Sequence, residues 1–480
     1  MSASGRSMRK LIYVIIPIIL VTVLLPFLSS VLRSKVQVLA PGFDVVVSDG
    51  APNGVPTPAV QSSVFCAAWN GTNYNTPLII HAGPHKTATT TLQTLLEVNR
   101  HLMLKTTGLT YMGKFTKFHE NACPEDVPFC LDHDFIDGST PGNVAKFEFE
   151  MRKHLGGGGV VLSGEGFSKI MSRKHTNVLP GHRKDLSLAS LRDMQGCFDM
   201  TVVLAYRRYF EWIVSAYNSL QKFRKGRSNY NWPTEGGHYY GKDDVTVDAA
   251  SENDGTFKMW YEGLHDGQKC PGCTYNWVKF WGSQHHPTDW TARFFKLSFP
   301  GIRVSVYNLH QEGEIFSNFV CQTVPGAKNF CDALRRGEGE PAPSMNPTVP
   351  FEHDILAAAA HAAGLITTKA PVPKREYVRK KFLDAFPDVP SRPGMKYHCL
   401  AEDVLEKLLA TSIQYEKTVY VKYFSPPQEA EERTRFFKDL ELEQRNSFEE
   451  YIREKKFCNW DVDYILEHDL EIRNWFKNLK

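Results

Sequence analysis

Residues 77–93 constrain this chain more than any other stretch. Pro77, Leu78, Ile79 and Ile80 form an apolar run that reads as a buried strand. Gly83 and Pro84 then turn the chain. Lys86 and the hydroxyls of Thr87, Thr89 and Thr90 follow, and Leu92, Leu95 and Leu96 recur at helical spacing. Strand, tight loop, Lys-Thr and helix together make a place for a phosphate. The loop and helix start present main-chain N–H groups at the positive end of the helix dipole. Lys86 adds a full charge, and the threonines add donors. A Walker A loop carries Gly directly before its Lys, and His85 stands there instead.

Further segments extend the pattern. Val160–Ser163 reads as a buried strand and ends in Gly164-Glu165-Gly166. A carboxylate there stands at the carboxyl edge of a parallel sheet, either as a base or as a loop carboxylate paired with a cation. Thr201–Ala205 is another strand and runs into Tyr206-Arg207-Arg208. A helix follows, with Phe210, Ile213, Val214 and Tyr217 on one face. Ile302–Tyr307 alternates as a strand, and His310 beyond it reads as a structural histidine. Strands alternating with helices predict an α/β fold with a mainly parallel sheet flanked by helices.

From about residue 350 the chain reads as helix. Ile355–Leu365 is Ala-rich, Val404 to Ile413 carries an apolar stripe, and Glu429–Lys456 is a densely charged, solvated helix. Between Phe223 and Tyr275, basic residues precede Tyr230, Trp232, Tyr239, Tyr240, Trp260 and Tyr261. That region is either a surface for an anionic sugar chain or a long loop packed down by its own aromatics.

Lys86-Thr87-Ala88-Thr89-Thr90 after a strand resembles the 5′-phosphosulfate loop of the sulfotransferases, which usually reads Lys-Thr-Gly-Thr-Thr. In that family the loop grips 3′-phosphoadenosine 5′-phosphosulfate (PAPS). A second motif, roughly Arg-x-Pro-x-x-Arg-x-x-Ser-x-Tyr, holds the 3′-phosphate there. Arg207, Ser215 and Tyr217 match its first Arg, its Ser and its Tyr. Tyr209 replaces the Pro and Trp212 the second Arg. The resemblance covers roughly residues 77–220. It implies a P-loop-kinase-like core, with Gly83, His85, Lys86, Thr87, Ala88, Thr89, Thr90, Arg207 and Ser215 around the donor. Lys86 would be catalytic, Glu165 would be the candidate base, and no metal enters the scheme.

The N-terminus supplies the setting. A tail, 1–10, holds Arg6, Arg9 and Lys10, and 11–32 carries no charged residue. About 20 apolar residues span a bilayer, whereas a signal peptide has a shorter apolar core, so 11–32 reads as an uncleaved anchor. Residues 33–76 are rich in Pro, Gly and Ser and read as a stem. They include the sequon Asn70-Gly71-Thr72. All ten cysteines follow the anchor, Cys270 and Cys273 among them, as in an oxidised lumenal domain. A net charge of +3 and the lack of a recognisable module argue against nucleic acid as a partner.

The expectation is a single-pass type II Golgi membrane protein. Its lumenal domain, 77–480, comprises a core over 77–330 and a helical region over 350–480. It would transfer a sulfuryl group from PAPS to a hydroxyl or amine of a polysaccharide or other glycan. A nucleotide-dependent kinase on the same core, or a membrane-anchored glycan-binding protein without catalysis, are the alternatives.

Overall fold

The computed structural model describes residues 76–84, 87–112, 141–164, 166–168, 185–226, 256–265, 286–341, 351–366 and 375–479. The expected anchor, the sequon, Cys270, Cys273, His85, Lys86, Glu165 and the aromatics Tyr230 to Tyr240 lie outside them. No helix among the described residues is long and apolar enough to cross a membrane.

Five strands build the main sheet: β1 (Thr76–His81), β2 (Thr110–Tyr111), β3 (Val160–Ser163), β4 (Phe198–Tyr206) and β5 (Arg303–Asn308). Their order is β2-β3-β1-β4-β5, and every neighbouring pair is parallel. Helices α1 (Thr89–Val98) and α2 (Arg100–Thr107) follow β1. Helix α3 (Pro141–Arg152) precedes β3, and α4 (Asp185–Met194) precedes β4. Helices α5 (Tyr209–Gly226), α6 (Phe257–His265) and α7 (Pro287–Ser298) lie between β4 and β5. Helices α8 (Ile315–Thr323) and α9 (Lys328–Arg335) come after β5.

Strand alternation sends side chains to two covered faces, as a parallel sheet requires. Leu78, Ile80, Leu162, Val202 and Leu204 pack with Phe147 and Met151 of α3, Leu191 of α4 and Phe295 of α7. Ile79, Val161, Val203 and Ala205 pack with Leu92 and Leu96 of α1, Met103 of α2 and Phe319 of α8. Each fully buried aliphatic contributes roughly 1.5–3 kcal/mol. The chain thus leaves β1 over one face and leaves β3 over the other. β1 lies beside β3 and β4, and in open α/β sheets such a divergence marks the carboxyl end of the strands as the place for a ligand.

The C-terminal region adds α10 (Phe351–Ala362), α11 (Arg375–Ala385), α12 (Glu402–Tyr423), α13 (Ala430–Arg453), α14 (Val462–His468) and α15 (Leu470–Lys477). It also holds an antiparallel pair absent from the sequence reading, β6 (Tyr397–Cys399) with β7 (Cys458–Trp460). Val419 of α12 joins the core beneath the sheet. Among the described residues, the disulfides Cys321–Cys331 and Cys399–Cys458 are compatible with a secreted or lumenal protein.

Candidate functional site

The loop after β1 is held on both sides. Ala82 N–H donates to Val203 O at 3.0 Å, and Ala205 N–H donates to Gly83 O at 3.1 Å. The ladder between β1 and β4 therefore continues into the loop, and Gly83 is tied to the residue two before Arg207. The Thr87 hydroxyl donates to Pro84 O and closes the turn.

Helix α1 starts from Ala88, which adopts φ 58° and ψ 18°, the left-handed conformation. Glycine reaches that region without penalty. The glycine of the sulfotransferase pattern thus falls on a position where this backbone favours one, and alanine occupies it under strain. No side chain caps α1, and its first turn carries no acidic residue. The Thr89 side chain is buried, and its hydroxyl has no hydrogen-bond partner among the described residues. A buried hydroxyl without a partner at the positive end of a ten-residue helix has the character of an anion donor left unsatisfied.

Beneath the loop lies a buried polar network that the sequence reading did not single out. His81 and Ser163 are register partners at the ends of β1 and β3. His81 Nδ1 lies 2.8 Å from Ser163 Oγ, and Tyr307 OH lies 3.3 Å from His81 Nε2. Gln93 of α1 donates from Nε2 to Ser163 O at 3.1 Å. Gly164 N–H donates to His81 O at 3.0 Å, which fixes the start of the segment leading to Glu165. The available signal was a polar residue closing each of two apolar strands.

Arg207 leaves the end of β4 with its guanidinium partly exposed, and its Nε lies 3.4 Å from Glu211 Oε2. Burial raises the Glu211 carboxyl, and the two arginines oppose the rise. His286 Nε2 donates to Arg207 O at 2.8 Å, and Thr288 Oγ1 donates to Ala205 O at 2.7 Å. The backbone at the end of β4 is thereby pinned from α7. Ser215 is half-buried two turns along α5. Tyr209 and Trp212, which replace the pattern's Pro and Arg, are buried core residues stacked 6.2 Å apart. The departure is structural: α5 is wedged against α6, and an arginine at 212 would be a buried charge.

Arg208 was missed, and it is the buried arginine of the pair. It pairs with Glu443 of α13, 235 positions away, and lies within 3.9 Å of Glu211. Glu416 of α12 faces the same guanidinium. Burial pushes its carboxyl up to about 7, with Arg208 pulling the other way. His310 Nε2 accepts the Arg208 N–H at 3.1 Å, and burial beside two arginines pushes this imidazole down to about 3. His310 is a neutral structural histidine, as expected from the sequence. Trp260 and Tyr261 are likewise packed core, against Tyr217 and Phe257.

No protein-family model, curated protein or solved structure matches the chain.

The described residues therefore bring together Gly83, Thr87, Ala88, Thr89 and Thr90 at the end of β1 and Arg207 at the end of its neighbour β4. Ser215 stands further along α5, and its side chain makes no described contact with the loop. The arrangement suits an anion gripped by a helix N-terminus on one side and a guanidinium on the other.

Proposed function

We propose that this chain is a type II membrane sulfotransferase of the Golgi lumen, built on a P-loop-kinase-like core, that moves a sulfuryl group from PAPS to a glycan hydroxyl or amine. The observation that carries the reading is the Ala205–Gly83 hydrogen bond, which joins the residue two after β1 to the residue two before Arg207. The two motifs that resemble donor-binding segments thus follow adjacent parallel strands at their carboxyl ends, which supports a shared anion site.

In this mechanism the acceptor oxygen or nitrogen attacks sulfur, and the bond from sulfur to the 5′-phosphate oxygen breaks in line. The transition state is loose, so positioning and charge stabilisation supply the catalysis. Lys86 stabilises the charge left on the phosphate oxygen. Thr87, Thr89, Thr90 and the N–H groups opening α1 hold the 5′-phosphosulfate. Arg207 and Ser215 hold the 3′-phosphate, with Glu211 orienting the arginine. Glu165 takes the acceptor's proton.

The test uses adenosine 3′,5′-bisphosphate, the spent donor. A ligand that binds only the native state raises the melting temperature in proportion to the logarithm of its concentration. The bisphosphate should raise it, and Arg207→Ala should weaken the effect. Lys86→Ala should lower turnover on a verified acceptor by roughly a hundredfold, the loss of one preorganised donor, about 3 kcal/mol. A chain stabilised by a nucleoside triphosphate with magnesium and indifferent to the bisphosphate would be a kinase. One indifferent to both would be a glycan-binding protein.

A further inference from the structure

A second cavity of about 410 Å³ opens between α5, α10 and the end of α13, and none of its described lining residues belongs to the phosphate loop. Its volume lies in the range of small-molecule sites, ~300–1,000 Å³. Its floor is polar and rigid. Asn459 is buried, and its Oδ1 accepts from Phe257 N–H at 2.6 Å and from Tyr217 OH at 3.4 Å. Its Nδ2 donates to Glu352 Oε1 at 2.6 Å, which fixes that carboxylate in the cavity wall.

His353 lines the same cavity and is 2% exposed. Its Nε2–H donates to Phe386 O at 3.3 Å, so Nδ1 is an acceptor, and no group among the described residues donates to it. A buried acceptor in a cavity wall is satisfied by a ligand that brings a donor.

The exposed part of the lining carries Arg453, Lys455 and Lys456. Lys456 pairs with Glu454 at 3.4 Å and Arg453 lies 3.9 Å from Glu450, whereas Lys455 has no described ion pair. Lys455 sits just past the end of α13 at φ 56°. That position favours glycine, because a side chain is strained there. The chain nevertheless carries a lysine, exposed, at the edge of the cavity. Strain retained at a cleft is a pointer to function when the residue supplies something a glycine cannot. Here that is a cation.

We propose that this cavity binds a sugar unit bearing an anionic group. The sugar hydroxyls donate to His353 Nδ1 and Glu352, and the carboxylate or sulfate meets Lys455 and Arg453. The site is separate from the phosphate loop and does not depend on the sulfotransferase reading. If that reading holds, the cavity is a second foothold for a polysaccharide acceptor.

Binding is measured by titration calorimetry on the full chain with no nucleotide present. The probes are a tetrasaccharide of alternating glucuronic acid and N-acetylglucosamine, a sulfated counterpart, and the neutral N-acetylglucosamine tetramer. The acidic probes should bind at least tenfold more tightly than the neutral one. The ratio between the carboxylate and sulfate probes identifies the preferred anionic group. Lys455→Gly should raise the melting temperature and weaken acidic binding about tenfold, opposite signs from one substitution. Lys455→Glu should weaken it further, and His353→Phe should weaken all three probes. Absence of binding, equal affinity for acidic and neutral probes, or unchanged affinity in Lys455→Gly overturns the proposal.

Discussion

His81 Nδ1 and Ser163 Oγ lie 2.8 Å apart, across the paired ends of β1 and β3. This contact, with Tyr307 on the other imidazole nitrogen, ties three strands together directly below the loop. His81→Ala leaves two buried hydroxyls without their partner and opens a cavity. The expected loss is about 2–4 kcal/mol of unfolding free energy. Ser163→Ala removes one hydroxyl and little volume and should cost about 1 kcal/mol. Urea denaturation orders the two variants; equal small losses would mean that the network contributes nothing.

Ala88 provides a test with the opposite sign. At φ 58° a side chain costs about 1–2 kcal/mol relative to the right-handed conformation. Glycine removes that cost but loses more backbone entropy on folding, about 0.5–1 kcal/mol. Ala88→Gly should therefore gain about 0.5–1 kcal/mol, and Ala88→Val should lose stability. Thermal melts that ranked valine above glycine would rule out a left-handed residue there.

The same loop illustrates what was legible in the sequence. Apolar runs bounded by turn residues located β1, β3 and β4, because burial on both faces leaves a continuous hydrophobic signature, whereas β5 at the edge showed as an alternation. β2 was missed because Thr110–Tyr111 is too short to show a period and forms only by pairing with β3. Helix α3 begins at Pro141, in keeping with the tolerance of a helix start for proline. The Arg208–Glu443 pair was unreadable, since nothing local marks two charges so far apart as neighbours. The charged helix α13 is indeed mostly solvated, yet Leu440, Gln444 and Phe448 turn inward. In the sequence Ala88 only stands where the family pattern has glycine; the backbone angle shows why glycine suits the position.

The two disulfides should differ in effect. Cys399–Cys458 closes a separation of 59 residues and locks the β6–β7 pair, whereas Cys321–Cys331 closes 10. Loop-closure entropy assigns roughly 4 kcal/mol to the first and roughly 3 kcal/mol to the second. Paired Cys→Ser variants, compared in guanidinium, should show the larger loss at 399 and 458. The reverse order would show that native strain outweighs chain entropy.

Glu416 gives a pH signature. Burial raises its carboxyl from 4.5 to about 7, in a cluster with Arg208, Tyr206, Tyr420, Glu211 and Glu443. Between those values the native state holds a proton that the unfolded chain releases, so this group lowers stability as pH rises from 4.5 to 7. Glu416→Gln mimics the protonated form. Its advantage over wild type should be near zero below pH 4.5 and grow to at most about 3 kcal/mol above pH 7. His286 and His310 act oppositely: burial pushes them down to about 4 and about 3, so their contribution is lost as pH falls below 6.5. That acid limb should persist in Glu416→Gln. A wild-type-to-variant difference constant across pH would remove Glu416 as the source.

Thr89 separates a binding role from a structural one. Its hydroxyl is buried at the start of α1 with no partner among the described residues, so the free protein bears the desolvation cost with no hydrogen bond in return. Thr89→Val keeps the shape and deletes the hydroxyl. Without ligand the variant should be as stable as wild type or more so, by up to about 2 kcal/mol. If the hydroxyl donates to the 5′-phosphate of a bound nucleotide, the variant should lose about 1.5–3 kcal/mol of binding, a charged hydrogen bond. Its melting temperature should then rise less with adenosine 3′,5′-bisphosphate. Thr87 is the comparison, because its one hydroxyl hydrogen already donates to Pro84 O, which leaves its main-chain N–H as its donor to the phosphosulfate. Thr87→Val should lose stability before any ligand is added. A Thr89→Val variant that destabilised the free protein, or bound the bisphosphate as wild type does, would assign Thr89 to packing and leave the loop's grip to its main-chain N–H groups and Lys86.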